Sequence, residues 1–146
     1  MIIAIDFDGT CVTHEFPNIG DSIGAEPVLK ELVGNGHQLI LFTMRSDIDA
    51  PESDCEDIHS VGGKYLTDAV NWFKEIEIPL WGINENPEQK SWTHSPKPYA
   101  NLYIDDSALG IPLVYDLHEL PYVDWIEMRK LLVLRGLIKE NKDENN

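Results

Sequence analysis

Short, uninterrupted apolar runs recur along the chain. Runs of this kind, bounded by turn residues, are typical of strands buried on both faces of a parallel sheet. The segments that contain them are 2–5, 37–43 and 100–104, with shorter ones at 79–84 and 112–115. We expect each of these segments to form a strand.

Between these runs, apolar residues recur three and four positions apart, which is the spacing of a helix face. The segments are 26–33, 64–75 and 125–138. Alternating strands and helices predict an α/β fold, a three-layer doubly wound (Rossmann-like) parallel sheet with helices on both faces. We expect a single domain over residues 1–138 and a charged, frayed tail at 139–146.

Three polar segments interrupt this pattern and predict loops. They are the segment 11–20 with its proline and glycine, the acidic segment 47–60, and the proline-interrupted segment 85–98. The first of them directly follows the first predicted strand, so we expect it to lie over the end of that strand.

Polar residues follow three of the predicted strands. Asp6 and Asp8 end the first strand, Thr43 ends the second, and Asp105 and Asp106 follow the strand at 100–104. Each group alone fits a turn or a helix cap. The carboxyl ends of parallel strands, however, meet at the edge where α/β sheets bind ligands. Asp6 and Asp8 also project to the same side, where they repel each other unless a cation or a proton intervenes. Together these residues predict a site.

Composition narrows the possible functions. The 146 residues include 26 acidic and 11 basic side chains, for a net charge of −15. This charge argues against general nucleic-acid binding and against attachment to an anionic membrane. No apolar run is long enough for a membrane span, and the first residues lack the features of a signal peptide. We therefore expect a soluble, cytoplasmic protein, in which Cys11 and Cys55 are too few for a disulfide framework.

The chain resembles the haloacid dehalogenase (HAD) superfamily of aspartate-nucleophile phosphohydrolases in three stretches, Asp6-Phe7-Asp8-Gly9-Thr10, Thr43 and Ile104-Asp105-Asp106. The resemblance extends from residue 1 to about residue 115. It implies a Rossmann-like sheet, Mg²⁺, and hydrolysis of phosphomonoesters through an aspartyl-phosphate. The gaps between the stretches leave no room for a large cap domain, so the implied relative is a small, capless or minimally capped hydrolase. Cys11 stands where the family commonly has leucine or isoleucine, a space that a small apolar thiol can largely fill.

The resemblance also assigns roles to the carboxylates. Asp6 matches the nucleophile, and Asp8 matches the general acid/base. Mg²⁺ prefers hard oxygen ligands. Asp6, the backbone carbonyl of Asp8, and one or both of Asp105 and Asp106 would supply them.

The phosphate side of the implied site is formed by Thr43 with the backbone N–H groups of Met44 and Arg45. The Arg45 side chain has two possible partners, the substrate or the acidic loop that follows. The family also has a lysine before the acidic pair. We assign it to Lys97, with Lys90 and Lys64 as alternatives.

Several alternatives stay open from the sequence. A receiver-like phosphoacceptor shares the sheet, the acidic residues, a threonine and a lysine, although the order of motifs here fits the hydrolase. A non-catalytic phosphate- or metal-binding module on the same fold is a further alternative. We place His14 and His94 at the entrance of the site as a weaker hypothesis. A small phosphorylated substrate is preferred over a macromolecule, and the oligomeric state is undetermined.

Overall fold

A four-stranded parallel sheet forms the centre of the protein. The computed structural model describes residues 1–49 and 62–141. Within them, the strands lie in the spatial order β5 (Gly82–Ile83), β2 (Gln38–Leu41), β1 (Ile2–Ile5) and β6 (Leu102–Ile104). Ile5 pairs with Leu41 on one side and with Ile104 on the other, and all these pairings are parallel. The predicted α/β fold with a parallel sheet is confirmed, and β1, which precedes Asp6, is a central strand.

Three helices pack against one face of this sheet. They are α1 (Ala25–Gly34), α2 (Tyr65–Glu75) and α3 (Trp125–Leu134). Their buried apolar residues join one core with alternate strand residues, among them Ile3, Ile5, Leu39 and Leu41. Because side chains alternate along a strand, these residues all point to the same face.

The opposite face carries a much smaller apolar cluster. It consists of Ala4, Ile40 and Ala100, with Ile2 and Trp81 packed against them. The expectation of helices on both faces is therefore wrong for the described residues. The connection from β5 to β6 contains three prolines and forms only one 3₁₀ turn, Gln89–Ser91, because proline removes backbone donors and disfavours the α conformation in the preceding residue.

Two short antiparallel pairs lie outside the main sheet. β3 (Asp47–Ile48) pairs with β4 (Gly63–Lys64), and β7 (Leu113–Val114) pairs with β8 (Tyr122–Val123). The strand predicted at 112–115 therefore exists but does not extend the parallel sheet. β3 replaces the start of the loop predicted at 47–60. The rest of that loop, with Cys55, lies outside the described residues.

The C-terminal helix begins at a side-chain cap and ends earlier than predicted. The Asp124 carboxylate accepts hydrogen bonds from the backbone N–H groups of Ile126 and Glu127, which caps α3. The helix ends at Leu134 rather than at residue 138. The tail was expected to fray from residue 139, but Arg129 donates to the Lys139 carbonyl and to Asn141 Oδ1. Residues 142–146 lie outside the described residues, and no helix in the described part is long and apolar enough to cross a membrane.

Candidate active site at the carboxyl edge of the sheet

Three carboxylates meet where β1 and β6 end. Asp6, Asp105 and Asp106 each offer an oxygen, and these three oxygens all lie within 4.8 Å of one another. Because β1 and β6 are paired neighbours in the sheet, they bring together carboxylates that lie about a hundred residues apart in the sequence. Carboxylate oxygens are the hard ligands that Mg²⁺ prefers, so this group fits a divalent cation. Asp8 is not a member of the group.

The electrostatic environment of the Asp6 carboxyl also favours a bound cation. Burial, the negative charge of Asp105 and a hydrogen bond with Asp106 together raise the pKa of the Asp6 carboxyl to about 8, against smaller opposing effects of Phe7 and Thr10. Taking a carboxylate out of water and placing it beside like charges disfavours its ionised form. A cation bound among the three carboxylates would reverse this effect and hold Asp6 ionised.

Thr10 joins the two strand ends. Its hydroxyl oxygen lies 3.0 Å from Asp6 Oδ2 and 3.2 Å from Asp106 Oδ1, and it accepts a hydrogen bond from the Asp106 backbone N–H at 3.0 Å. A hydroxyl has one proton, so it donates to one of the two carboxylates at a time. The Trp125 indole N–H donates to the Thr10 carbonyl at 2.7 Å, which attaches α3 to the same turn. The sequence offered no indication of this contact with Trp125.

The loop after the first strand folds back over the site, as predicted. His14 Nε2 lies 2.8 Å from Asp106 Oδ2. Gly9 has a positive φ of 79°, and a Cβ added there would overlap the His14 imidazole. Glycine at position 9 therefore serves both the turn and the close approach of His14. This places His14 at the site; His94 lines a neighbouring cavity.

Asp8 is held by Arg45 on the other side of the turn. Arg45 Nε lies 2.7 Å from Asp8 Oδ2, and Arg45 Nη2 lies 2.7 Å from Asp8 Oδ1. This bidentate geometry fixes the plane of the carboxylate as well as its position. The sequence did not indicate this pair, since Arg45 was assigned to the substrate or the acidic loop.

The remaining donors of Arg45 are also used. Nη1 donates to the carbonyls of Pro17 and Tyr65, and Nη2 donates to the carbonyl of Asn18. A guanidinium has five N–H donors, and here each has an acceptor. The group also lies 5.1 Å from the ring centroids of both Phe7 and Phe16, and the residue is only 3% exposed. The Arg45 side chain is therefore a clamp on Asp8 rather than a group available to a phosphate.

Thr43 lies at the end of β2, next to β1. Its backbone N–H donates to Asn84 Oδ1 at 2.8 Å, and its hydroxyl accepts the Arg45 backbone N–H at 3.1 Å. The Arg45 N–H that we assigned to the phosphate thus has an internal acceptor. The side chain of Met44, between them, is 98% exposed.

The three candidate lysines have partners other than Asp6. Lys97 Nζ lies 5.2 Å from the ring centroid of Tyr103. Lys90 Nζ lies 3.8 Å from Glu85, and Lys64 Nζ lies 3.9 Å from Asp49. The assignment of an active-site lysine to Lys97 therefore stays a prediction.

Comparisons with known proteins identify one relative. No family model and no curated protein matches the sequence. A solved structure, that of a conserved protein coded by a locus of Bacteroides thetaiotaomicron, matches with a TM-score of 0.66 and 30% sequence identity. The match covers 97% of this chain and 93% of that one. The two chains belong to one family.

Proposed function

We propose that this protein is a Mg²⁺-dependent phosphomonoester hydrolase of the HAD type, which acts through an aspartyl-phosphate. The observation that supports it most is the meeting of Asp6 with Asp105 and Asp106 at the carboxyl edge of a parallel sheet. This is the arrangement that the resemblance in the motifs implies. The spatial order of the four strands, with Asp6 directly after a central one, is compatible with the same fold.

In the proposed reaction, Asp6 is the nucleophile and Asp8 transfers protons. Asp6 attacks phosphorus and forms an acyl-phosphate, while Asp8 donates a proton to the leaving alcohol. Asp8 then accepts a proton from the water that hydrolyses the acyl-phosphate. Asp6, Asp105 and Asp106 would hold Mg²⁺, which neutralises charge on the phosphate oxygens when it is bound.

Arg45 orients Asp8, and Thr43 and Met44 are assigned to the phosphate. Arg45 fixes both oxygens of Asp8, so the proton-transferring carboxylate keeps one orientation. Thr43, with the backbone N–H of Met44, is our assignment for the phosphate oxygens. The acidic surface, with its net charge of −15, supports a small substrate over an extended polyanion.

The proposal is tested with p-nitrophenyl phosphate as a general substrate. We expect the wild-type protein to release phosphate with Mg²⁺ and to stop when a chelator removes it. Asp6→Asn should abolish turnover, a loss of at least about a thousandfold, because an amide is not a nucleophile of comparable strength.

Asp68→Asn is the matched control, because Asp68 is an exposed residue in the first turn of α2. It should retain wild-type turnover. Unchanged turnover in Asp6→Asn would remove the nucleophile assignment, and a wild-type protein without Mg²⁺-dependent turnover would remove the proposed function.

A further inference from the structure

His14 contacts the three-carboxylate group from outside. The oxygens that lie within 4.8 Å of one another come from Asp6, Asp105 and Asp106, and His14 is not a member of this group. Its Nε2 atom lies 2.8 Å from Asp106 Oδ2. An ionised carboxylate only accepts hydrogen bonds, so the imidazole N–H is the donor in this contact. The imidazole can therefore influence a cation bound by this group through the orientation of Asp106.

The Asp106 carboxylate is held on both of its oxygens. Oδ1 lies 3.2 Å from the Thr10 hydroxyl, and Oδ2 lies beside His14. The Thr10 hydroxyl has a single proton and also lies within hydrogen-bond distance of Asp6, whereas the His14 N–H is directed at Asp106. A carboxylate has about four lone-pair sites, so two hydrogen bonds leave positions for a cation. His14 therefore orients Asp106 and still leaves it able to bind a cation.

The loop that carries His14 holds the imidazole in this place. The Gly9 N–H donates to the Val12 carbonyl at 2.7 Å. The Thr13 N–H donates to the Asp21 carbonyl at 3.1 Å, and the Asp21 N–H donates to the Thr13 hydroxyl at 2.9 Å. Thr13 is buried, and a Cβ at position 9 would overlap the imidazole. Because the backbone before His14 is bonded and the ring fills the space over Gly9, the imidazole approaches the carboxylates from a fixed direction.

We propose that His14 is a positioning residue for the cation, because it holds Asp106 beside Asp6 and Asp105. Three like charges this close repel one another, and a carboxylate without a partner would turn toward water. The hydrogen bond from His14 opposes that rotation, so the ligands are partly ordered before Mg²⁺ binds. The inference rests on the proposed function and adds to it a residue, outside the ligands themselves, that raises the affinity for Mg²⁺.

Two amide variants of His14 test this role. Glutamine can place its amide N–H close to the position of the imidazole Nε2, whereas asparagine is one methylene shorter and cannot reach Asp106. We expect His14→Asn to raise the Kd for Mg²⁺ by about tenfold to a hundredfold, and His14→Gln to stay within about threefold of the wild type. Isothermal titration calorimetry of the substrate-free protein with MgCl₂ measures both values without relying on activity.

The kinetics should show the same difference between the variants. With p-nitrophenyl phosphate, His14→Asn should raise the Mg²⁺ concentration that gives half the maximal rate by the same factor as the Kd. The kcat at saturating Mg²⁺ should stay within about threefold of the wild-type value, because His14 contacts a metal ligand and not the substrate.

His37→Asn is the matched control. His37 Nε2 also lies 2.8 Å from an acceptor, the Leu137 carbonyl, but His37 directly precedes β2 and so lies at the opposite, amino edge of the sheet. The control substitution removes a histidine hydrogen bond of the same length, and it should change neither the Kd for Mg²⁺ nor the kcat.

The outcomes separate this inference from the proposed function. Mg²⁺ binding by the wild-type protein that is unchanged in His14→Asn overturns the inference about His14 alone. Equal weakening in His14→Gln and His14→Asn would show that the imidazole itself is a ligand, and a loss of kcat with an unchanged Kd would place His14 at the substrate; either result also overturns it. A wild-type protein that binds no Mg²⁺ overturns both proposals, whereas one that binds Mg²⁺ without turning over any phosphate ester overturns the proposed function only.

Discussion

Arg45 shows how one side chain organises several parts of the site. Its guanidinium holds both oxygens of Asp8, two carbonyls of the loop after β1, and one carbonyl at the start of α2. The side chain is almost completely buried between two aromatic rings. A buried ion pair is not in itself a large source of stability, but removal of one partner leaves an uncompensated charge and unpaired acceptors.

Arg45→Lys is therefore expected to destabilise the fold although it keeps the charge. A lysine cannot reproduce the planar fork or satisfy five acceptors, so we expect a loss of about 3 kcal/mol in the free energy of unfolding. Urea denaturation monitored by tryptophan fluorescence measures it. Arg135→Lys, at an exposed position after α3, is the control and should change stability by less than about 0.5 kcal/mol. Equal stability of the two variants would contradict the role of Arg45 as a clamp.

At the same scale, the sequence could indicate some of these residues and not others. Asp6, Asp105 and Asp106 were recognisable because each follows an apolar strand, and the parallel sheet brings strand ends together. The partners of Arg45 could not be recognised from the sequence, because they lie 20 to 37 positions away on irregular segments with no periodicity. The hydrogen bond between Trp125 and Thr10 joins residues 115 positions apart and could not be predicted from the sequence either.

At the level of elements, β5 and β6 are connected by an irregular segment, where the predicted fold would have a helix on the second face of the sheet. Helical periodicity identified α1, α2 and α3 within a few residues, because each has one apolar face. Periodicity did not indicate that all three would pack on one face of the sheet. That outcome depends on residues 84–101, whose polar and proline-rich sequence connects β5 to β6 without an α-helix and contributes Ala100 to the small cluster on the other face.

The β7–β8 connection contains a small hydrogen-bonded network with a titratable histidine. Asp116 accepts hydrogen bonds from the backbone N–H of His118 and from the Tyr122 hydroxyl, and its Oδ1 lies 2.8 Å from His118 Nδ1. The hydrogen bond with Asp116 raises the pKa of His118 above its usual 6.5, whereas the pKa of Asp116 is lowered to about 2, chiefly by Tyr122. Asp116 therefore stays ionised at neutral pH, and the protonated imidazole is the form that the network favours.

The stabilisation from His118 should be present below about pH 6.5 and disappear as the pH rises through the raised pKa in the folded protein. We expect the wild-type protein to have a higher Tm than His118→Gln at about pH 6 and a difference close to zero at about pH 9. Thermal denaturation of both proteins across this range provides the measurement. Asn71→Gln, at an exposed position in α2, exchanges no titratable group and is the control; its Tm difference from the wild type should be the same at both pH values. A His118→Gln difference that does not vary with pH would contradict the sign of this coupling.

For the molecule as a whole, two kinds of charge repulsion coexist. The net charge of −15 acts over the entire surface, and it is screened by any salt. The unfavourable ionisation of Asp6 is local: burial and the neighbouring charge of Asp105 both raise its pKa. Screening by dissolved salt is much weaker at such a site, so a bound cation is the effective means of relieving it.

A comparison of Tm in NaCl and in MgCl₂ at equal ionic strength separates the effect of surface charge from that of the carboxylate site. NaCl should raise the Tm of wild type and of Asp6→Asn alike. MgCl₂ should raise the wild-type Tm further, because Mg²⁺ at a hundred times its Kd adds about 3 kcal/mol to the free energy of unfolding. Asp6→Asn and Asp105→Asn should lose this increment, while the surface control Asp68→Asn keeps it.

Without Mg²⁺, Asp6→Asn should be more stable than the wild-type protein. The fold must either keep the buried Asp6 carboxyl protonated or hold it ionised beside Asp105 and Asp106, and asparagine avoids both costs. The same substitution thus raises stability in the absence of the metal and removes stabilisation in its presence. A general effect of surface charge predicts the same small change for Asp6→Asn and Asp68→Asn under both conditions. Equal Tm values in NaCl and MgCl₂ for the wild-type protein would therefore contradict a specific cation site at the end of β1.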